Sequence, residues 1–124
     1  MSRIKVLVID DNEAHAQGLA ELLERSGFST TFATTGKQGL QLALGGEVDA
    51  VLLDLNLPDI SGYDVCRQLR SEPTTANVAV IFHTAASSLG IEHLADAFLT
   101  YPVETGHICF VIEGCVARRR SALT

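Results

Sequence analysis

The chain has 124 residues, enough for one domain with a sizeable core and too few for two. Apolar residues make up 47% of it, which excludes a disordered polypeptide. Lys plus Arg is 9 and Asp plus Glu is 15, a formal charge of −6, and that balance makes the chain a poor candidate for gripping nucleic-acid phosphates directly.

Ile4-Lys5-Val6-Leu7-Val8-Ile9 is a β-branched apolar run that ends in Asp10-Asp11-Asn12. It reads as a central parallel strand carrying two acids to its carboxyl edge. Asn12 or Asp11 caps a first helix, and Ser26-Gly27 ends it. His15, Leu19, Leu22 and Leu23 form the apolar stripe of that helix, with Ala16 and Ala20 beside it. Residues 28–34 alternate loosely and are rich in Thr, a second strand near an edge. Residues 36–44 carry Leu40, Ala43 and Leu44 on a short second helix, closed by Gly45-Gly46. Residues 49–54 form a third strand, an apolar run too short for a buried helix, and it climbs to Asp54.

A turn with Pro58 and Gly62 leads to a third helix over 63–70, with Val65, Cys66 and Leu69 inward. Ser71-Glu72-Pro73-Thr74-Thr75 is a loop. Val78-Ala79-Val80-Ile81-Phe82-His83 is a fourth buried strand ending at Thr84, followed by the small residues Ala85-Ala86-Ser87-Ser88. Ile91, Leu94 and Ala95 allow little more than one helical turn. Ala97-Phe98-Leu99-Thr100 is a short fifth strand before Tyr101-Pro102. The last helix covers 105–119, with a core stripe of Ile108, Val111, Ile112, Cys115 and Val116. Strands alternating with helices predict an α/β fold: a five-stranded parallel sheet, doubly wound, in a single domain over 1–124.

Other features carry less. Cys66, Cys109 and Cys115 are odd in number and fit no metal spacing, so they read as small buried thiols of a reducing compartment. Arg118-Arg119-Arg120 reads as a solvated helix end favoured by the macrodipole. There is no signal-peptide pattern and no apolar run long enough to span a bilayer, so the expected location is the cytoplasm, with no membrane contact.

Three strands end in polar residues, at Asp10-Asp11, Asp54 and Thr84, and a parallel sheet brings these ends to one edge. Crowded carboxylates raise one another's pKa unless a cation sits among them, and a hard divalent ion such as Mg²⁺ suits oxygen ligands. The bland reading, that Asp10 and Asp11 merely cap a helix, leaves the coincidence with Asp54 and Thr84 unaccounted for.

These residues resemble the receiver domain of bacterial two-component response regulators. The resemblance rests on Val8-Ile9-Asp10-Asp11-Asn12, on Leu53-Asp54-Leu55-Asn56-Leu57-Pro58 with Gly62, on Thr84-Ala85, and on Phe98 with Pro102, and it covers essentially the whole chain. It implies a flavodoxin-like sheet of order 2-1-3-4-5. It implies a phosphoacceptor rather than a conventional enzyme, one that promotes its own phosphorylation and dephosphorylation. Asp54 would take the phosphoryl group from the phosphohistidine of a sensor kinase or phosphotransfer protein. Asp11 and Asp54 would hold Mg²⁺ by side chain and Asn56 by its backbone carbonyl, with Asp10 acting mainly through water. Thr84 would turn to the phosphoryl group, Ala85 would leave room for it, and Phe98 stands at the aromatic switch position.

Two departures set this chain apart. Receivers carry a lysine before the proline at Pro102, and here that residue is Tyr101. A tyrosine offers one neutral hydrogen bond in place of a charge, or it points elsewhere. The resemblance also implies a cis bond before Pro102. The segment from Thr84 to Tyr101 is several residues shorter than is usual, so the family's fourth helix is expected to be short or unwound. Pro102-Val103-Glu104 after a non-lysine residue resembles receivers attached to histidine kinases, so the chain is read as free-standing or as part of a hybrid kinase or larger regulator.

His83 reads as a strand residue directed into the opposite helix layer, and His15 as a core-edge residue rather than a ligand. Tyr63 and Asp64 open the third helix without a catalytic role. The rival reading is a pseudo-receiver, an interaction module independent of phosphorylation. A haloacid-dehalogenase-type phosphatase needs a second acid where Asn56 stands. A flavin phosphate would be repelled by Asp10-Asp11.

Overall fold

The computed structural model describes residues 3–85 and 94–122. The strands are β1 (Lys5–Ile9), β2 (Ser29–Ala33), β3 (Ala50–Leu53), β4 (Ala79–Thr84) and β5 (Ala97–Thr100). The helices are α1 (Glu13–Arg25), α2 (Gly36–Leu44), α3 (Gly62–Ser71) and α4 (Thr105–Ala122). All strands are parallel, in the order β2-β1-β3-β4-β5. The flavodoxin-like order is the one the resemblance implied.

The central strands β3 and β4 are buried throughout, and β1 from its second residue on, which is why they read as unbroken apolar runs. The edge strands β2 and β5 are only partly covered. Side chains alternate between two cores. Val6, Val8, Leu52 and Ile81 face α1 and α4, while Leu7, Ile9, Val51, Leu53, Val80 and Phe82 face α2 and α3.

Side-chain oxygens cap three helices. Asn12, Thr35 and Ser61 accept from the amides of His15, Gln38 and Asp64 at 3.0, 3.1 and 3.1 Å. Gly27 and Gly46 follow the ends of α1 and α2 with φ of 103° and 85°, a region that side chains rarely adopt.

Several boundaries and faces differ from expectation. α3 begins at Gly62 and runs to Ser71, and α4 continues to Ala122. Leu22 and Leu44 are 42% and 40% exposed rather than core residues. The buried stripe of α1 is Ala16, Leu19, Ala20 and Leu23, which turns Leu22 to the rim, and Leu44 sits at the last position of α2. Val111 is half-buried. The turn expected at 91–95 and the shortened fourth helix lie mostly outside the described residues. Among the described residues, no helix is long and apolar enough to cross a membrane.

The basic cluster at the end of α4 is not simply solvated. Arg119 Nε donates to Asp96 Oδ1 at 2.8 Å, and Arg70 on α3 donates to Asp96 Oδ2 at 3.1 Å. Asp96 Oδ2 also accepts the Val80 amide at 2.8 Å. Arg70 reaches the carbonyls of Leu94, Ala76 and Val78 as well. This network ties α3, α4 and the amino ends of β4 and β5.

Candidate functional site

The Asp10 amide donates to the Ala33 carbonyl and the Asp54 amide to the Ile9 carbonyl, each at 3.0 Å. Each acid thus extends its strand by one residue and stands at the carboxyl edge of the sheet. Asp11 follows on the exposed loop. Asp10 is 4% and Asp54 8% exposed, so both carboxyls are largely withdrawn from water. One oxygen from each of Asp10, Asp11 and Asp54 can be chosen so that all lie within 4.8 Å of one another. An all-oxygen set of this spacing and charge fits a hard divalent cation such as Mg²⁺.

Burial pushes the Asp54 carboxyl above the ordinary carboxylate range, and the charges of Asp10 and Asp11 push the same way. A hydrogen bond from the Thr84 side chain and one from the Asn56 amide, at 3.3 Å, oppose them. Thr84 is fully buried as the last residue of β4. Ala85 beside it is exposed. Phe98 is half-buried, with its ring 5.7 Å from that of Phe82, which lies 5.3 Å from Tyr63.

The loop that follows Asp54 is held at two points. Gly62 donates to the Leu55 carbonyl at 2.9 Å and starts α3 directly against the acid's backbone. Asp59 Oδ2 and Oδ1 accept the amides of Lys37 and Gly36 at 2.9 and 2.8 Å. Those donors hold the Asp59 carboxyl below its usual range. Asp59 was not singled out from the sequence, where it is one turn residue among several.

Tyr101 points into the site. Its hydroxyl donates to Asp10 Oδ2 at 2.9 Å, and its peptide bond to Pro102 is cis. His15, expected at the edge of the core, is exposed and places Nδ1 2.5 Å from the same Asp10 oxygen. In the tautomer that carries its proton on Nδ1, the ring donates to that oxygen. His15 is the third residue after the Asn12 cap, and side chains at that position reach back over the helix start. That spacing was the available signal. His83 does face the α1 and α4 layer, but it belongs to the wall of the site. Its ring lies 4.3 Å from Tyr101 edge-on and 6.0 Å from His15 in a stack. These rings line one end of a cavity between α1 and the start of α4.

The sheet order and the acid trio define a flavodoxin-like α/β domain with its polar site at the carboxyl edge. The model of the response regulator receiver domain matches residues 6–112. Response regulator MprA of Mycolicibacterium vanbaalenii is 34% identical over 125 residues, covering 97% of this chain and 50% of that protein. The DNA-binding dual master transcriptional regulator RpaA of Synechocystis is 33% identical over 124 residues, covering 96% and 48%. A receiver domain crystal structure from Clostridium thermocellum matches with a TM-score of 0.87 at 27% identity, over 96% of this chain and 98% of that one. A CheY-like receiver domain protein from Methanospirillum hungatei gives 0.88 at 22% identity, over 98% and 99%.

The chain belongs to the response regulator receiver domain family, whose setting is two-component signalling. It spans about half the length of the curated relatives it matches.

Proposed function

We propose that this domain accepts a phosphoryl group on Asp54 from the phosphohistidine of a sensor kinase or phosphotransfer protein. The observation that carries the reading is the Asp54 carboxylate, buried at the sheet edge, sharing an oxygen cluster with Asp10 and Asp11 and bonded to Thr84. In the transfer, an Asp54 oxygen bonds to phosphorus while the bond from phosphorus to the histidine nitrogen breaks. The electron pair returns to that nitrogen, and Asp54 becomes an acyl phosphate.

Asp11 and Asp54 would hold Mg²⁺ by side chain, with the Asn56 carbonyl and a water-mediated Asp10 completing the set. Bound there, the cation offsets the charge on the phosphoryl oxygens. Thr84 already donates toward Asp54, and its hydroxyl would turn to a phosphoryl oxygen there. Ala85 adds no bulk at the mouth. Phe98, at the family's aromatic switch position, would follow Thr84. At −6, the stretch offers little attraction to nucleic acid, so we assign it none. DNA binding is a property named for RpaA. We place the domain in the cytoplasm.

The test is incubation with Mg²⁺ and acetyl phosphate or a cognate kinase, followed by intact mass. A hydroxylamine-sensitive phosphate is expected on the wild type and not on Asp54→Asn. Uptake by Asp54→Asn, or none by the wild type, overturns the reading.

Tyr101 favours a second reading, the pseudo-receiver, because it stands where receivers carry a lysine and its neutral hydroxyl is spent on Asp10. That reading requires partner affinity to be the same in Asp54→Asn and with beryllofluoride and Mg²⁺. A large change in affinity excludes it.

A further inference from the structure

Three donors already occupy Asp10. The Asn12 amide meets Oδ1 at 3.0 Å, while the Tyr101 hydroxyl and the His15 ring meet Oδ2 at 2.9 and 2.5 Å. A carboxylate offers about four lone-pair positions, so about one is left for any other partner. The same carboxylate belongs to the acid trio. Asp10 therefore has two claimants.

The donors on Oδ2 come from separate elements. His15 lies in the first turn of α1, and Tyr101 follows β5. Their rings meet edge-on at 4.9 Å. The His83 ring, 6% exposed, lies beside both. The Tyr101 amide is bonded to the Thr84 carbonyl at 2.9 Å, so its backbone is held to the end of β4. The arrangement is a built one, and it is directed at Asp10 rather than at Asp54.

We propose that His15 and Tyr101 form a latch on Asp10, and that closing this latch opposes cation binding at the acid trio. The inference rests on the phosphoacceptor reading, which supplies the cation. Both ring donors are drawn by the negative charge that draws Mg²⁺. A cation beside Asp10 weakens the ring bonds, and the ring bonds spend charge that the cation would otherwise use. Such coupling is reciprocal by thermodynamic necessity. Cation occupancy thereby acts on Tyr101, and through it on the turn that leads into α4, without a lysine.

Titration calorimetry with Mg²⁺ alone, at fixed ionic strength, tests this in the wild type, Tyr101→Phe and His15→Ala. Each variant loses a hydrogen bond to a charged group, one that a bound cation would weaken. Mg²⁺ affinity is then expected to rise about three- to tenfold in each. In the wild type, Mg²⁺ is also expected to shift the His83 ring signals in NMR spectra, and the shift shrinks in Tyr101→Phe. A merely structural role would lower the melting point and leave Mg²⁺ affinity alone. His15 is exposed, so His15→Ala keeps the test open if Tyr101→Phe folds poorly. Unchanged affinity in folded variants of a wild type that binds Mg²⁺ overturns the latch and leaves the phosphoacceptor reading standing. No Mg²⁺ binding by the wild type overturns both.

Discussion

His83 shows how one residue links packing to solution behaviour. Burial, reinforced by the neighbouring His15 ring, brings its pKa from 6.5 down to about 4. The ring is therefore neutral in the folded protein near neutral pH. Between those two values the unfolded chain binds the proton and the folded chain does not, so stability rises with pH through that window. The contribution is fully present above about 6.5 and is lost as pH falls toward 4. In His83→Phe, the difference in urea midpoint between about pH 7 and about pH 5 should shrink. An unchanged difference would assign the acid sensitivity to the carboxylates.

At this scale the acids were legible because each ends an apolar run, and strand ends share an edge in a parallel sheet. The partners of Asp10 were not. Whether Tyr101 bonds to an acid or points away depends on backbone placement ninety-one positions from Asp10, and no local pattern encodes it.

Among the elements, β3 and α3 meet backbone against backbone. A Cβ on Gly62 would lie 2.3 Å from the Asp54 carbonyl oxygen and 2.8 Å from Leu55 Cα. Both atoms are backbone and cannot step aside. Gly62→Ala is expected to push the first turn of α3 off the strand end, at a cost of about 2 kcal/mol by urea unfolding. Gly18→Ala is the contrast, because nothing lies within 4 Å of its added carbon inside α1. That change should add about 0.5 to 1 kcal/mol.

Central strands were readable from sequence because burial on both faces writes a continuous apolar run. Helix faces were less so. Outward positions of α4 include Phe110, 75% exposed, so the apolar residues on that helix outnumber those that meet the sheet. Leu22 and Leu44 misled for the same reason: periodicity marks a stripe but not its edges.

For the molecule as a whole, the main electrostatic fastening is at the end of the sheet away from the acids. Asp96 is held by Arg70, Arg119 and the Val80 amide. Asp96→Ala leaves two largely covered guanidinium groups without their carboxylate, and a loss of about 3 kcal/mol is expected by urea unfolding. The exposed pair Arg3 and Glu24, open to solvent screening, should contribute far less in the same assay. A comparable loss for both would mean that burial does not govern these pairs. The network joins residues 26 and 23 positions apart in the chain, so its members carry no shared periodicity or motif.

The same fastening has a mechanical consequence. β5 is four residues long, its amino end is bolted through Asp96 to α3 and α4, and its far end carries Tyr101. α4 returns from Tyr101 and is bolted at its own distal end through Arg119. Strand and helix are thus two struts of one finger with an anchored base. With β5 paired to β4 along its length, a pull on Tyr101 is expected to displace Tyr101 and Pro102 most and the Arg119 end of α4 least. The surface that a partner would feel move is the fingertip, not the knuckle.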